Sequence, residues 1–208
     1  MMIFHEYLLA QGQADLAQIL KLPFVKGLGM GGLTQAQRNY YVAQDSYYVD
    51  QFIQLADQVT QALPAGFASA PNLGNDESDA HLGLAPSKEW SEIPIGQHNL
   101  AYLAHMQQAV AIADPVAGLI ALLPCTESYY LIAQTLQAQH NAQGYQQWLN
   151  YYCSDAYQAT VNWAWTTLDQ LVPNYQDLAE NQLQIYKDIY QKSYAYETSF
   201  WLEAGKIK

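Results

Sequence analysis

The sequence predicts an all-α fold, a single-domain bundle of about seven helices over residues 1–208. Apolar residues recur at spacings of three, four and seven along several long stretches, the period of one helix face. No stretch sustains period-two alternation, and no Asn-Gly or Asp-Gly turn separates two β-branched runs. Half of the residues are hydrophobic and 13% are charged, a balance that supports one sizeable core and excludes disorder.

The first helix is predicted from Glu6 to Leu22, with Tyr7, Leu8, Leu16, Ile19 and Leu20 on its apolar side. Leu22-Pro23 ends it, because the residue before a proline is pushed out of the helical region. Gly27, Gly29, Gly31 and Gly32 then read as a loop. It lacks the Gly-Lys-Ser/Thr ending of a phosphate cradle and follows no strand, so it is expected to be a turn. Thr34 is a suitable N-cap for a long helix from Gln35 to about Leu63. Its stripe runs through Tyr41, Tyr48, Phe52, Leu55, Ala56, Val59 and Leu63, and Asp45 shares that face. A carboxylate beside an inward aromatic stripe is either partnered in the interior or solvated at the stripe's edge.

Residues 64–94 are the least regular part. Glu77 and His81, four apart, suit two metal ligands on one helical turn, but no third ligand has a matching spacing, so no metal or cofactor is expected. Helical periodicity resumes at Leu100 with Leu103 and Met106. Asp114-Pro115 breaks it, and the next helical segment, from Val116 to about Gln139, contains Pro124 and Cys125. A helix opening or kinking at Pro124 would place the Cys125 sulfur near unpaired backbone N–H groups, which favour a thiolate. The alternative is a small buried core residue. Tyr145 to Leu171 and Asn181 to Ala204 read as two further helices, rich in tryptophan and tyrosine. The 17 tyrosines point to a pocket, since each buried phenol needs a hydrogen-bond partner.

Net charge is −11 with only 8 Lys+Arg, which opposes nucleic-acid binding. Cys125 and Cys153 each lie in an apolar, helix-like segment and are expected to be free thiols in a reducing cytoplasm. The longest apolar run ends at Pro124, too short to span a bilayer, and Met-Met-Ile-Phe-His-Glu has no basic region ahead of an apolar one. A soluble cytoplasmic protein with no membrane partner is the expectation.

Five blocks in order carry a resemblance: Pro23-Phe24-Val25-Lys26-Gly27-Leu28-Gly29; Gln44-Asp45-Ser46-Tyr47-Tyr48; Leu122-Leu123-Pro124-Cys125; Trp148 with Tyr152; and Tyr196-Glu197-x-x-Phe200-Trp201. Together they resemble the TenA family (thiaminase II, aminopyrimidine aminohydrolase), nearly end to end. The resemblance implies a heme-oxygenase-like helical bundle, a homotetramer, and hydrolysis at the methylene carbon of an aminopyrimidine. It implies Cys125 as nucleophile, Glu197 as proton donor and Tyr48 as the tyrosine supporting the cysteine. Asp45 would bind the ring's amino group, and Tyr102, Tyr129 and Tyr152 would line the pocket. The sequence departs from the family's pattern at Leu22, at Met30, in Gln97–Ala101 and in a shortened segment between Asp45 and Tyr102, which affects the pocket rim and the leaving group. The rival readings are an oxidase on the same fold, which would need a His/Glu ligand cluster, and a non-catalytic aminopyrimidine-binding regulator.

Overall fold

The structure, a computed structural model, describes residues 2–67, 77–140 and 144–208. Nine α-helices occur among them: α1 (Phe4–Ile19), α2 (Pro23–Met30), α3 (Gln35–Ala62), α4 (Ser78–Gly83), α5 (Gln97–Val110), α6 (Pro115–His140), α7 (Gln146–Tyr152), α8 (Asp155–Leu171) and α9 (Glu180–Lys206). Short 3-10 turns lie at Lys88–Glu92 and Tyr175–Asp177, and there is no strand among the described residues. The all-α expectation is met.

Helix α6 is the axis of the molecule and packs against α9, α5, α8, α7, α3 and α2. From Ala117 to Leu123 its apolar side chains are all buried, whichever way they point. A helix that is apolar all round belongs in a core or a membrane. By length and composition Pro115–Gln139 could cross a bilayer, yet 89% of its most apolar window is buried inside the protein. Pro124 does not open a new helix, one of the two readings the sequence offered. The helix runs through it, forgoing the ladder bond to the Ile120 carbonyl at a cost of roughly 3 kcal/mol. Close packing by six other helices holds the turn in place.

The remaining helices follow from local signals, with three corrections. Thr34 caps α3 as expected: its Oγ1 accepts from the Gln37 N–H at 3.2 Å, while Gln37 Oε1 accepts from the Thr34 N–H at 3.0 Å. The glycine run is not a loop. Pro23 opens α2 as its first residue, Gly27 and Gly29 lie inside it, and only Gly31 (φ 74°) leaves the helical region to terminate it. The stretch read as one helix from Tyr145 to Leu171 is two, because Ser154 adopts an extended conformation and its hydroxyl caps the Tyr157 N–H at 3.2 Å. These divisions, with the short α4, make nine helices where about seven were expected. Gly144 marks a close approach: a Cβ there would collide with the Leu28 carbonyl that accepts from the Tyr145 N–H.

One buried acid stands on the far side of α6 from the cysteine. Glu127 is fully buried and accepts from the Tyr190 hydroxyl, the Tyr194 hydroxyl (3.2 Å) and the Trp165 indole N–H (2.6 Å). Burial pushes its carboxyl up to about 7 against those three hydrogen bonds. The unfolded chain therefore ionises Glu127 first, and stability should fall as pH rises from about 4.5 to about 7, by roughly 3 kcal/mol for this one group. Urea unfolding of wild type and Glu127→Gln across that range checks this. The variant should lose a large part of the slope, and an unchanged slope would reject the buried-acid account.

Candidate active site

Four helices and the segment entering α4 converge on one face of α6. Cys125, Ser128 and Tyr129 share that face by their spacing of three and four. Opposite them α3 supplies Asp45 and Tyr48, α5 Tyr102, α7 Tyr152 and α9 Glu197, while Glu77 and His81 enter from the start of α4. All seven residues implied by the resemblance are thus brought together, and except for Cys125, which is partly exposed, each is buried.

The sulfur environment differs from the expected one. Cys125 sits well inside α6, so the partial positive charge of a helix N-terminus is not available to it. Burial pushes its thiol well above the ordinary range, and the Glu197 and Glu77 carboxylates push it further. A hydrogen bond with Tyr48 works in the other direction. The Tyr48 hydroxyl also lies 3.5 Å from Met106 Sδ, so it stands between two sulfurs. The resting group is a neutral thiol.

Glu197 faces it from α9. Burial, more than any charge, pushes its carboxyl up to about 8. The Tyr102 and Ser128 hydroxyls oppose that shift, while the negative charges of Asp45 and Glu77 add to it. Ser128 Oγ donates to Glu197 Oε2 at 3.5 Å. The fully buried Tyr102 hydroxyl lies within reach of Glu197 and Tyr48 without a hydrogen bond of full geometry. At neutral pH Glu197 is therefore mostly a carboxylic acid, able to give up a proton.

A second polar group lies beyond the sulfur. Asp45 is 2% exposed and accepts from the Tyr129 hydroxyl at 3.0 Å through Oδ1. Its Oδ2 is 2.9 Å from His81 Nε2, and His81 Nδ1 is 3.2 Å from Ser46 Oγ. The Tyr152 hydroxyl donates to Glu77 Oε2 at 2.5 Å. Tyr129 and Tyr152 tilt against each other (4.9 Å between centroids), with Trp148 and Trp201 as flanking walls. Trp148 donates its indole N–H to the Tyr41 hydroxyl at 3.2 Å. Flat aromatic walls with a buried carboxylate at one end can hold a planar heterocycle that carries an amine.

Asp45 is also the third ligand that Glu77 and His81 lacked in the sequence. One ligand atom from each of the three lies within 4.8 Å of the others, a set able to hold a divalent cation. Asp45 comes from another helix, so no local spacing reveals the grouping.

The comparisons with known proteins bear on this site. The TENA/THI-4/PQQC family pattern matches residues 79–206, more than half of the chain. The chain belongs to the TENA/THI-4/PQQC family. It is 27% identical to the aminopyrimidine aminohydrolase of Helicobacter pylori over 94% of this chain and 95% of that protein. It is 26% identical to the aminopyrimidine aminohydrolase of Bacillus subtilis, covering 86% and 80% of the two chains. Among solved structures, a TenA family transcription regulator from a Silicibacter species superposes with a TM-score of 0.83 at 21% identity, over 97% of this chain and 96% of that one. A TenA homologue from P. horikoshii gives 0.82 at 20% identity, over 98% and 99%. These superpositions establish the fold.

Within this TENA/THI-4/PQQC chain, sequence reasoning missed several contributors. Ser128 looked like any small polar residue on a core helix. The Glu77–Tyr152 and His81–Asp45 pairs join segments far apart in the chain. Only the placement of Ser128 three residues after Cys125, on the same helical face, was available as a signal.

Proposed function

We propose that this protein is a cysteine-dependent aminopyrimidine aminohydrolase of the thiaminase II type, acting in thiamin salvage or degradation. The observation that carries the reading is the meeting of a thiol raised by burial (Cys125), a carboxyl pushed up to about 8 (Glu197) and a buried carboxyl group (Asp45) among packed aromatic side chains. Asp45 accepts hydrogen bonds from the exocyclic amine and orients the ring. The Cys125 sulfur adds to the ring while Glu197 protonates a ring nitrogen, and Glu197 then takes the thiol's proton. The group on the methylene leaves, an amine taking its proton from Glu197; the water that replaces it returns a proton to Glu197, and the ring N–H proton goes back to the departing sulfur. Water adds at the methylene carbon, the C–S bond breaks, and the thiol and the aromatic ring are restored. Tyr48 steadies the sulfur through its hydroxyl, and Tyr102, Tyr129 and Tyr152 hold the ring. In the same reading the protein works in the cytoplasm as a homotetramer, where its cysteines, both free, stay reduced.

A second reading draws on the Asp45–Glu77–His81 grouping, which would suit a metal-dependent oxidase on this fold. One experiment separates the two. Chelator-treated protein is incubated with thiamin, with the aminomethyl pyrimidine and with its formylated form, and release of the hydroxymethyl pyrimidine is followed. Hydrolysis of at least one of them by the treated protein is expected. Activity that disappears on chelation and returns with iron or manganese would favour the oxidase, and inertness toward all three would overturn the hydrolase.

A further inference from the structure

Pro124 leaves a weak point in α6 directly before the cysteine. The proline has no N–H for the Ile120 carbonyl, so the turn leading into Cys125 lacks one rung of its ladder. The next carbonyl, of Ala121, is the one that the Cys125 N–H meets in helical geometry. That same oxygen accepts from the hydroxyl of Ser193 on α9 at 2.9 Å. Ser193 is completely buried and lies one turn before Glu197 on the same face. Its hydroxyl has a set direction: His105 Nε2 lies 3.1 Å from Ser193 Oγ and 3.2 Å from the Ile189 carbonyl. A carbonyl only accepts, so this nitrogen carries the proton, and Ser193 Oγ receives it and passes its own hydrogen to Ala121. The His105 ring also packs on Tyr196 (5.6 Å), which stacks at 5.3 Å on Tyr102, a neighbour of Glu197.

We propose that Ser193, directed by His105, is a positioning residue that fixes the distance between the nucleophile on α6 and the acid on α9. It rests on the hydrolase reading above. The Ala121–Ser193 link and the Ser128–Glu197 bond act as two rungs on either side of Cys125. Neither hydroxyl of the pair need touch substrate for its loss to matter. A displacement on the order of 1 Å between reacting groups costs about a hundredfold in rate.

The test uses Ser193→Ala, with Val161→Ala as the control for lost packing in a fully buried position on α8. Ser193→Ala should lower kcat about ten- to a hundredfold with KM changed by no more than about twofold, the signature of an interaction lost mainly in the transition state. Val161→Ala should lower the melting temperature without that kcat loss. In a Cys153→Ser background, alkylation of Cys125 by iodoacetamide should quicken several-fold in Ser193→Ala, because a loosened α6 admits water to the thiol. If the wild type hydrolyses no aminopyrimidine, the functional reading fails and the alkylation rates alone decide the positioning role. Should Ser193→Ala not fold, His105→Ala, which frees the Ser193 hydroxyl to rotate, is measured in its place. A kcat within about twofold of wild type, or for an inactive wild type an unchanged alkylation rate, overturns the proposal.

Discussion

Replacing Cys125 by serine is expected to lower aminopyrimidine hydrolysis by roughly three orders of magnitude or more, the scale of loss when a covalent nucleophile is removed. The swap is nearly isosteric, and Cys125 is only partly buried, so the helical CD spectrum should be unchanged. Affinity for the hydroxymethyl pyrimidine product should also survive, since Asp45, Tyr129 and Tyr152 are untouched. Cys153→Ser is the matched control. That thiol closes α7, is raised by burial alone and has no carboxylate acting on it. Its replacement should leave turnover near wild type. Comparing single-turnover rates of the two variants checks the assignment, and near-normal turnover by Cys125→Ser would discard covalent catalysis through this residue.

The helical class and most elements were readable because periodicity and caps are local. Thr34 and Gln37 satisfy each other within one turn, and the stripe from Tyr41 to Val59 is a property of one helix. Errors arose where a local rule met a tertiary override. Pro124 read as a helix opening or a kink, and the opening is excluded because α6 runs through it, its packed neighbours carrying the cost of an interior proline. The Ser154 cap was legible in principle, as a Ser-Asp pair opening a helix, but the continuous aromatic pattern on both sides masked it. For the site, the seven residues picked out by motif position lie near one another across α3, α5, α6, α7 and α9. Their ionisation states were not legible, since the raised thiol and the raised carboxyl depend on burial and on charges from α3, α4 and α9. The reading of Cys125 as a helix-terminus thiolate was wrong for that reason. Partners such as His81 for Asp45 belong to the same class, because sequence separation hides a contact that only the assembled bundle makes.

The pH dependence of hydrolysis should fall, not rise, across mildly alkaline pH. In the proposed mechanism Glu197 is active as the acid, and its carboxyl is pushed up to about 8. It therefore holds its proton below that value and loses it as pH rises through it, and kcat/KM should decline about tenfold per pH unit above the apparent pKa. Cys125 makes the opposite demand if the free enzyme must first become a thiolate. That thiol is held well above the ordinary range, so activity would then climb with pH to beyond 9. The two shapes are distinguishable without any variant. A falling limb near pH 8 means that the sulfur's proton is handed over inside the complex, to the carboxylate Glu197 becomes as it protonates the ring. Glu197→Gln assigns the limb: the amide cannot give a proton at these pH values, so kcat should drop roughly 10²–10⁴-fold and what remains should lose the decline. The amide also places no negative charge near the sulfur, so Cys125 should alkylate faster in the variant than in the wild type at pH 9. An activity profile rising steadily through pH 8 to 9, unchanged in shape by Glu197→Gln, would remove Glu197 from the role of proton donor.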